Sequence, residues 1–247
     1  MKALILAAGL GKRLKHKTSD RPKAMTIIGK KTIIEYQIEA LLNAGVREIG
    51  IVLGYKKDVL TAFLTEKFPD LRLHYFENER YSDSDSAYSF WKARAFVEGE
   101  SYLHLNCDIL FPPVLVREIM TSAHPNLIAV RKDIPLTDKM ENVHIDENGR
   151  ITRMSIIHFP DANAKAFGLA KLSAESTRLI ISLLAPYIER GDYHQNYYGM
   201  IRQAVAHLPY WGKVSDQNHL LEVNTLTDLE FAKETLASTF KLEKISG

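Results

Sequence analysis

Residues 1–13 read MKALILAAGLGKR, an apolar run that ends in two closely spaced glycines and a basic pair. Residues 3–8 are all apolar, without the alternation of a half-buried strand, which is typical of a parallel strand covered by helices on both faces. Gly9 and Gly11 then permit a tight turn in which backbone amides come close to the phosphates of a ligand. The segment therefore predicts a buried first strand followed by a phosphate-binding turn.

The rest of the first half alternates strand-like and helix-periodic segments. Strands are predicted over residues 49–53, 71–76 and 102–105, and helices over residues 32–43, 57–67, 86–97 and 113–122. Such alternation predicts βαβ units. The expected architecture is therefore α/β, with a Rossmann-like, mostly parallel sheet and helices on both faces.

The second half has a different pattern. Residues 142–145 and 151–157 flank a polar turn at residues 146–149, which predicts a hairpin and hence a small antiparallel annex. Helix-periodic segments return at residues 174–189 and 195–207, and Thr225 and Asp228 approximate a capping box for a last helix. No linker or internal repeat interrupts the chain, so we predict a single domain over residues 1–247.

Charge is balanced overall but concentrated locally. The net charge is only +2, so neither a nucleic acid nor a membrane surface is predicted as a partner. Residues 12–23 carry six cations against one acid, a local charge of +5 that favours a small polyanion as ligand. The single cysteine, Cys107, excludes an intramolecular disulfide and a thiolate metal site, which favours a cytoplasmic location. No apolar segment approaches the ~20 residues that cross a bilayer.

Other glycine-rich phosphate loops do not fit the turn. A dinucleotide fingerprint needs a third glycine where Leu14 stands, and a Walker loop needs Ser or Thr where Arg13 stands. A second basic segment follows, in which Pro22 fixes the backbone just before Lys23. That cation can return to the same phosphates.

Asp108 follows the predicted strand at residues 102–105. Open α/β sheets bind their ligands at the carboxyl ends of parallel strands. Mg²⁺ prefers oxygen ligands, of which one or two are carboxylates, with phosphate oxygens and water completing the octahedron. The position of Asp108 is therefore the expected location of a catalytic metal.

The sequence LAAGLGKR at residues 6–13, followed by Pro22, Lys23 and Ala24, resembles the N-terminal signature of the sugar-phosphate and phosphoalcohol nucleotidyltransferases. Within that superfamily the chain is similar to bacterial cytidylyltransferases of the phosphocholine and 2-aminoethylphosphonate type, through segments at residues 31–55, 78–90, 103–111, 147–149 and 220–232. The resemblance implies a nucleotide-diphospho-sugar transferase fold. It also implies Mg²⁺-dependent transfer of CMP from CTP to a phosphorylated small-molecule acceptor, with release of pyrophosphate.

The same resemblance implies the division of the chain and the roles of its residues. Residues 1–125 would form the NTP-binding core, residues 126–218 the acceptor or lid region, and residues 219–247 the metal-site strand with the C-terminal helix. Gly9, Gly11 and Arg13 would hold the β and γ phosphates and Lys23 the α phosphate. The implied nucleotide-binding set is Leu6, Ala7, Ala8, Gly9, Gly11, Lys12, Arg13, Lys23, Asp85, Ser86 and Cys107, with Asp85 and Ser86 facing the base. The implied catalytic residues are Arg13, Lys23 and Asp108, the metal ligands are Asp108 and Asn224, and the acceptor-binding residues are Tyr88, Lys165, Tyr197 and Glu222.

The acceptor half departs from the pattern of those cytidylyltransferases. Lys139 and Lys165 stand where acids are usual, Ile156 stands where a lysine is usual, and the acids that follow the paired tyrosines are missing beside Tyr197. A trimethylammonium or amine head group needs an aromatic or acidic cage. We therefore predict an acceptor without a cationic head, such as a polyol phosphate, a sugar phosphate or a phosphorylated acid.

Two other functions remain open from the sequence. A sugar-1-phosphate uridylyl- or thymidylyltransferase shares the glycine turn, the lysine and the aspartate, but often has Gly-Asp where this chain has Cys107 and Asp108. A non-catalytic nucleotide-binding protein would explain Asn224 and the missing acids, although Lys23 and the glycines are intact. The oligomeric state is also left open, a homodimer being one option.

Overall fold

The computed structural model describes residues 1–11, 13, 14, 18 and 20–243. In chain order the strands are β1 (Lys2–Leu6), β2 (Ile27–Ile28), β3 (Lys31–Thr32), β4 (Ile49–Leu53), β5 (Leu73–Glu77), β6 (Tyr102–Asn106), β7 (Ile109–Leu110), β8 (Leu127–Arg131), β9 (Asn142–Ile145), β10 (Arg150–Ser155), β11 (Ala164–Leu172), β12 (Tyr210–Ser215) and β13 (Leu221–Glu222). The α-helices are α1 (Ile33–Asn43), α2 (Lys57–Lys67), α3 (Ser86–Val97), α4 (Pro113–Thr121), α5 (Ala174–Glu189), α6 (Tyr197–Val205) and α7 (Leu226–Glu243).

The first half of the chain forms the predicted parallel sheet. Strands β5, β4, β1 and β6 lie side by side in that order and all run parallel. The apolar run of β1 is covered on both faces: Ala3 and Ile5 pack in one core with α1, α2 and α4, whereas Leu4 and Leu6 pack in another with α3, α5 and α6. Burial on both faces explains the lack of alternation in its sequence. The Rossmann-like arrangement with helices on both faces is confirmed.

The second half continues the same sheet with mixed strand directions. β11 lies between β6 and β8 and is antiparallel to both, and β12 runs parallel to β8. Further pairings of β12 with β10, β10 with β9, and β9 with β11 close these strands into a ring. The predicted hairpin is confirmed as β9 and β10. The antiparallel region is larger than that hairpin, because β11 is buried almost throughout and lies inside the sheet.

The predicted hairpin turn and the predicted cap of the last helix are confirmed. Gly45 after α1 has a φ of +91°, and Gly149 in the hairpin turn has a φ of +78°. At the start of α7, the amide of Thr225 donates to Oδ2 of Asp228 at 2.8 Å and the amide of Asp228 donates to Oγ1 of Thr225 at 3.2 Å. Within the described residues, no helix combines the length and the apolar composition needed to span a bilayer.

Candidate active site

The glycine turn after β1 lies against Lys23. Gly11 has a φ of +65°, in the left-handed region that favours glycine. A Cβ atom at position 11 would lie 3.0 Å from Cβ of Lys23 and 3.1 Å from Cγ2 of Thr18, so the missing side chain lets the two segments touch. The Cβ position of Gly9 has no heavy atom within 4 Å and borders open space. Lys12, also predicted to bind the nucleotide, lies outside the described residues.

Lys23 is held at the centre of the site. Pro22 has an extended backbone, with φ −63° and ψ 155°, and Lys23 begins a short 3-10 helix, Lys23–Met25. The side chain is nearly buried, and Nζ donates to Oδ2 of Asp108 at 2.6 Å and to Oδ1 of Asn224 at 2.7 Å. Arg13 donates to the same Asn224 oxygen at 2.7 Å. Four residues that are far apart in sequence therefore form one hydrogen-bonded cluster.

Strand pairing brings Asp108 and Asn224 together. Asp108 lies between β6 and β7, and β7 pairs antiparallel with β13, which ends two residues before Asn224. The amide of Val223 donates to the carbonyl oxygen of Asp108 at 2.7 Å. The amide of Asn224 donates to Oδ2 of Asp228 at 2.9 Å. The two predicted metal ligands are thus fixed relative to each other by backbone contacts.

One oxygen of Asp108 lacks a hydrogen-bond partner. Oδ2 accepts from Lys23, whereas Oδ1 is buried and unbonded. A buried carboxylate oxygen without a donor is costly, so this atom suits a cation that arrives with a substrate. Among the described residues, no group of three or more His, Cys, Asp or Glu side chains is placed to hold a metal ion. An ion at Asp108 and Asn224 would therefore complete its coordination with phosphate oxygens and water.

Two cavities meet at this cluster. The smaller, of about 330 Å³, borders the glycine turn and the start of α3, and we call it the nucleotide cavity. The larger, of about 640 Å³, borders β11 and β13, and we call it the acceptor cavity. Residues that line both are Arg13, Asn106, Asp108, Asn196 and Asn224. A group bound in one cavity can therefore reach a group bound in the other at Asp108 and Asn224.

Most of the predicted nucleotide-binding residues line the nucleotide cavity. Ala7 does not: its amide donates to the carbonyl of Val52 at 2.9 Å and its side chain is buried in the core, because neighbouring residues of an extended chain point to opposite sides. The predicted residues that do line it are Leu6, Ala8, Gly9, Gly11, Arg13, Lys23, Asp85, Ser86 and Cys107.

Several polar residues of the same cavity were not predicted from the sequence: Asn78, Tyr81, Ser84, Ser89, Asn106 and Asn196. Four of them, Asn78, Tyr81, Ser84 and Ser89, lie in the segment at residues 78–90 that already resembled the cytidylyltransferases. Asn106 is two residues before Asp108, so strand periodicity was the available signal.

The turn predicted to face the base is fixed by the start of α6. The amide of Asp85 donates to the carbonyl of Tyr193 at 2.9 Å, and Oγ of Ser86 accepts from the amide of Tyr197 at 2.8 Å. The carboxylate of Asp85 is exposed and has no hydrogen bond to another described residue. A hydrogen-bond acceptor without a partner among the described residues therefore lies at the edge of the nucleotide cavity.

Two of the four predicted acceptor-binding residues line the acceptor cavity. Lys165 and Glu222 lie there and form an ion pair with each other. Tyr88 lies elsewhere: its hydroxyl donates to Oε1 of Glu79 at 2.9 Å. Tyr197 is fully buried, with its hydroxyl 2.5 Å from that of Tyr102.

Tyr198, rather than Tyr197, borders the acceptor cavity. Its hydroxyl donates to the carbonyl oxygen of Phe167. Burial, reinforced by the charges of Glu141 and Glu222, raises the pKa of Tyr198 well above its ordinary value, so this tyrosine stays protonated. The first turn of α6 therefore presents one tyrosine to the core and the next to the cavity.

The two glutamates of the acceptor cavity are each paired with a cation of the protein. Both oxygens of Glu141 accept from Arg202 at 2.6 Å, and Glu222 accepts from Lys165. The ammonium of Lys165 also lies 4.3 Å from the ring centroid of Phe167, so it covers one aromatic face of the cavity. These contacts occupy the groups that would otherwise bind a cationic ligand.

The other two acids at this cavity, apart from Asp108, serve the backbone. Asp138 accepts from the amide of His158 at 2.8 Å, and Asp228 caps α7. Lys139 lines the same cavity with a φ of +68°, and no acidic partner for it is found in the described part of the chain. Lys139 is therefore a cation at this cavity without an ion-pair partner among the described residues.

Burial also determines the protonation states of Cys107 and His104, which precede Asp108 in the chain. The pKa of Cys107 is raised to about 12, first by burial and then by the neighbouring charge of Asp108, so the thiol stays neutral. Burial lowers the pKa of His104 to about 3, so this imidazole is uncharged. The charged groups at the junction are therefore Arg13, Lys23 and Asp108.

A glycine turn, a buried lysine and a strand-end carboxylate that converge between two cavities define a nucleotidyltransferase site on a Rossmann-like sheet. The chain belongs to the MobA-like NTP transferase domain family, whose model matches residues 3–137.

Known relatives agree with this assignment. The chain is 32% identical over 201 residues to the CTP:phosphoglutamine cytidylyltransferase of Campylobacter jejuni, and the matched region covers 74% of this chain and 77% of that protein. It is 28% identical over 243 residues to the choline-phosphate cytidylyltransferase of Streptococcus pneumoniae, covering 96% and 98% of the two chains. The solved inositol-1-phosphate CTP transferase from T. maritima superposes with a TM-score of 0.77 at 21% identity, over 95% of this chain and 96% of that one, and shows the shared fold. The resemblance to cytidylyltransferases is thereby confirmed.

Proposed function

We propose that this protein transfers CMP from CTP to the phosphate or phosphonate group of a small molecule and releases pyrophosphate. The observation that carries the proposal is the junction of the two cavities at Lys23, Asp108 and Asn224. One cavity borders the glycine turn and suits a triphosphate. The other is about twice as large and is lined mainly by polar and charged side chains, which suits a polar acceptor.

The protein can promote this reaction by positioning the substrates and neutralising their charge. An acceptor phosphate has a second pKa of ~6 and is already anionic near neutral pH, so no general base is needed. One of its oxygens forms the new bond to the α phosphorus, while the bond from that phosphorus to the β-phosphate oxygen breaks and pyrophosphate leaves with the electron pair. Lys23 and Arg13 supply fixed positive charge where negative charge gathers in the transition state.

Asp108 and Asn224 are the residues that would hold Mg²⁺. The buried, unbonded Oδ1 of Asp108 fits a metal ligand. The amide oxygen of Asn224 would add a neutral ligand once Arg13 and Lys23, which both donate to it in this structure, turn to the phosphates. A bound Mg²⁺ would neutralise phosphate charge and help orient the leaving pyrophosphate. Because Asn224 carries no formal charge, we expect weaker affinity for the ion than at a site with two aspartates.

Cytosine is the base that the nucleotide cavity favours. The unpaired carboxylate of Asp85 accepts hydrogen bonds only, and it can pair with the 4-amino group of cytosine, whereas uracil and thymine present a carbonyl oxygen there. Two relatives named for CTP-dependent enzymes support the same choice. Transfer of a uridylyl or thymidylyl group to a sugar 1-phosphate is the second candidate, favoured by the shared glycine turn and lysine.

The acceptor cavity favours a neutral or anionic head group. Glu141 and Glu222 are each paired with a cation, and the Lys165 ammonium lies over Phe167. A quaternary ammonium such as choline would have to displace one of these contacts. Lys139 instead offers a positive charge to a carboxylate or hydroxyl-rich head group. A cytoplasmic location stays a prediction from the sequence, and the oligomeric state stays open.

Pyrophosphate release should be measured with each of four NTPs against a panel of acceptors, with and without Mg²⁺. The panel should include inositol 1-phosphate, phosphorylated amino acids, sugar 1-phosphates, 2-aminoethylphosphonate and phosphocholine. We expect Mg²⁺-dependent release with CTP and an acceptor without a cationic head. Phosphocholine as the best acceptor by kcat/KM would contradict the acceptor class, and CTP binding without release for any pair would favour a non-catalytic nucleotide-binding protein.

A further inference from the structure

Asn106 is the last residue of β6 and lines both cavities. Its side chain lies directly over Gly168 of β11. A Cβ atom at position 168 would lie 2.4 Å from Nδ2 and 2.5 Å from Cγ of Asn106, distances that real Cβ atoms do not adopt. The bare backbone of Gly168 therefore makes the space in which the amide lies, at the point where the two cavities meet.

His104 fixes the orientation of that amide. Nε2 of His104 lies 3.1 Å from Oδ1 of Asn106, and the imidazole is fully buried. Burial keeps the ring neutral, so it carries a single N–H group. The other ring nitrogen, Nδ1, is buried without a hydrogen-bond partner. A buried N–H group without an acceptor is rarer than an unpaired acceptor, so the proton belongs on Nε2 and is donated to Oδ1 of Asn106.

The imidazole itself is held by aromatic contacts behind the site. The His104 ring centroid lies 4.3 Å from that of Tyr197, with 31° between the ring planes. The Tyr197 hydroxyl is in turn hydrogen-bonded to the hydroxyl of Tyr102. These groups have no access to either cavity and leave the His104 ring little freedom. With Oδ1 occupied by His104, the NH₂ group of Asn106 is the part of the amide that is free to meet a ligand; no described residue accepts from it.

We propose that Asn106 donates a hydrogen bond to the phosphoryl group in transfer, and that His104 is a positioning residue that orients the Asn106 amide. This inference rests on the proposed function. Asn106 moves no proton; it supplies a neutral donor between the α phosphate and the acceptor phosphate, where Lys23 and Arg13 already supply charge. A neutral donor fits this place because it does not compete with Lys23 for Asp108.

The first test compares Asn106→Ala with Asn148→Ala, an exposed asparagine at the hairpin tip. We expect Asn106→Ala to lower kcat about 10- to 100-fold, at or below the lower end of the range for loss of a transition-state donor, with KM for CTP changed less than about threefold. Asn148→Ala should match the wild type. Thermal unfolding should show that each variant is folded. Turnover of Asn106→Ala within about twofold of wild type would overturn the proposal.

The second test separates positioning from packing. His104→Phe keeps an aromatic ring beside Tyr197 but removes the N–H donor, and we expect kcat to fall about 3- to 10-fold. In the Asn106→Ala background the same substitution should cost no further activity, because the group it orients is gone. His104→Gln, which keeps a donor, should recover part of the loss. If His104→Phe does not fold, His104→Leu, which also lacks a donor, takes its place. Losses that multiply in the double variant would contradict the positioning role.

A third measurement does not depend on turnover. Long-range ¹⁵N–¹H NMR should find His104 in the Nε2–H tautomer, and the Asn106 side-chain amide signals, assigned by their loss in Asn106→Ala, should shift when CTP and Mg²⁺ are added. A proton on Nδ1, or amide signals that do not move, would refute the inference even in an active enzyme. If the wild type releases no pyrophosphate but these signals behave as expected, the proposed reaction fails while the placement of a ligand donor at Asn106 stands.

Discussion

The two halves of the sheet build their sides of the site in different ways. On the parallel side, the nucleotide cavity is formed by turns at the ends of β1 and β6 and by the start of α3. On the antiparallel side, the acceptor cavity is lined by long charged side chains such as Lys165 and Glu222, which pair across distant strands. The nucleotide side thus depends on local backbone geometry, and the acceptor side on ion pairs that substitution can rearrange. Substitutions on the nucleotide side should therefore reduce activity more than substitutions on the acceptor side.

The largest effect is expected at the carboxylate shared by both cavities. Asp108→Asn removes the negative charge that faces Lys23 and leaves one neutral amide oxygen in place of the carboxylate proposed to bind Mg²⁺. We expect kcat to fall on the order of 10³-fold, whatever the acceptor, since the group acts on the phosphoryl transfer itself. Steady-state pyrophosphate release over a range of Mg²⁺ concentrations provides the measurement.

Asp161→Asn, at an exposed acid of a weak surface ion pair with 3.9 Å between charged atoms, is the matched control and should leave kcat unchanged. An Asp108→Asn protein that keeps more than a tenth of wild-type kcat would break the assignment of Asp108 as the shared catalytic carboxylate.

Lys23→Ala should produce the next largest effect. The ammonium donates hydrogen bonds to both Asp108 and Asn224, and its loss removes the fixed cation that we propose lies beside the α phosphate. We expect kcat to fall about 10²- to 10³-fold, the range seen when a transition-state donor is deleted. Lys30→Ala, at an exposed lysine in the turn between β2 and β3, serves as control in the same assay. Near-normal turnover of Lys23→Ala would show that the α phosphate is neutralised elsewhere.

The same difference between the halves explains what the sequence predicted and what it did not. Gly11 and Lys23 are predictable because they lie in one short signature, and the contact between them follows from a backbone position that excludes a Cβ atom. The parallel strands of the first half are predictable for a similar reason, since their unbroken apolar runs report burial on both faces. Asn224 entered the prediction only through resemblance, because its approach to Asp108 needs the tertiary pairing of β7 with β13.

The acceptor side was less predictable because its contacts are long-range. Lys165 and Glu222 are 57 residues apart in the sequence, and no local pattern predicts that they form an ion pair. Tyr197 and Tyr198 are adjacent in the first turn of α6, where helical periodicity does not yet decide which ring faces the core. The importance of Asn106 depends on Gly168, in a strand that packs beside β6 only in the folded protein.

Rearranging an acceptor-side ion pair should change specificity more than rate. Lys165→Met leaves the Glu222 carboxylate unpaired and uncovers the face of Phe167, which together resemble a site for a cationic head group. We expect phosphocholine to gain about tenfold in kcat/KM relative to inositol 1-phosphate, with KM for CTP unchanged.

Lys213→Met breaks a more exposed pair, with Glu118, and should alter neither ratio. If Lys165→Met instead raised KM for CTP and left the acceptor preference as it was, the division of labour between the two cavities would be refuted.

The smallest predicted effect concerns the seam between the halves, where His104 of β6 lies between Leu4 of β1 and Ala170 of β11. Its pKa is lowered to about 3 in the folded protein, whereas an exposed histidine has a pKa of ~6.5. Between these values the unfolded chain binds a proton that the folded chain does not. The stability contributed by neutral His104 is therefore complete above pH ~6.5 and is lost as the pH falls below it.

From pH 6.5 to 5.5 this single group should reduce the free energy of unfolding by about 1 kcal/mol, and His104→Phe should remove that share of the pH dependence. Urea unfolding of both proteins at each pH provides the comparison, in which histidines common to both cancel. Tyr197 and Tyr198, the titratable groups of α6 against the ring, have raised pKa values and stay neutral throughout this range. Equal pH slopes for the two proteins would mean that the seam admits a charged imidazole. Such a seam would be looser than the close contact of β6 with β11 indicates.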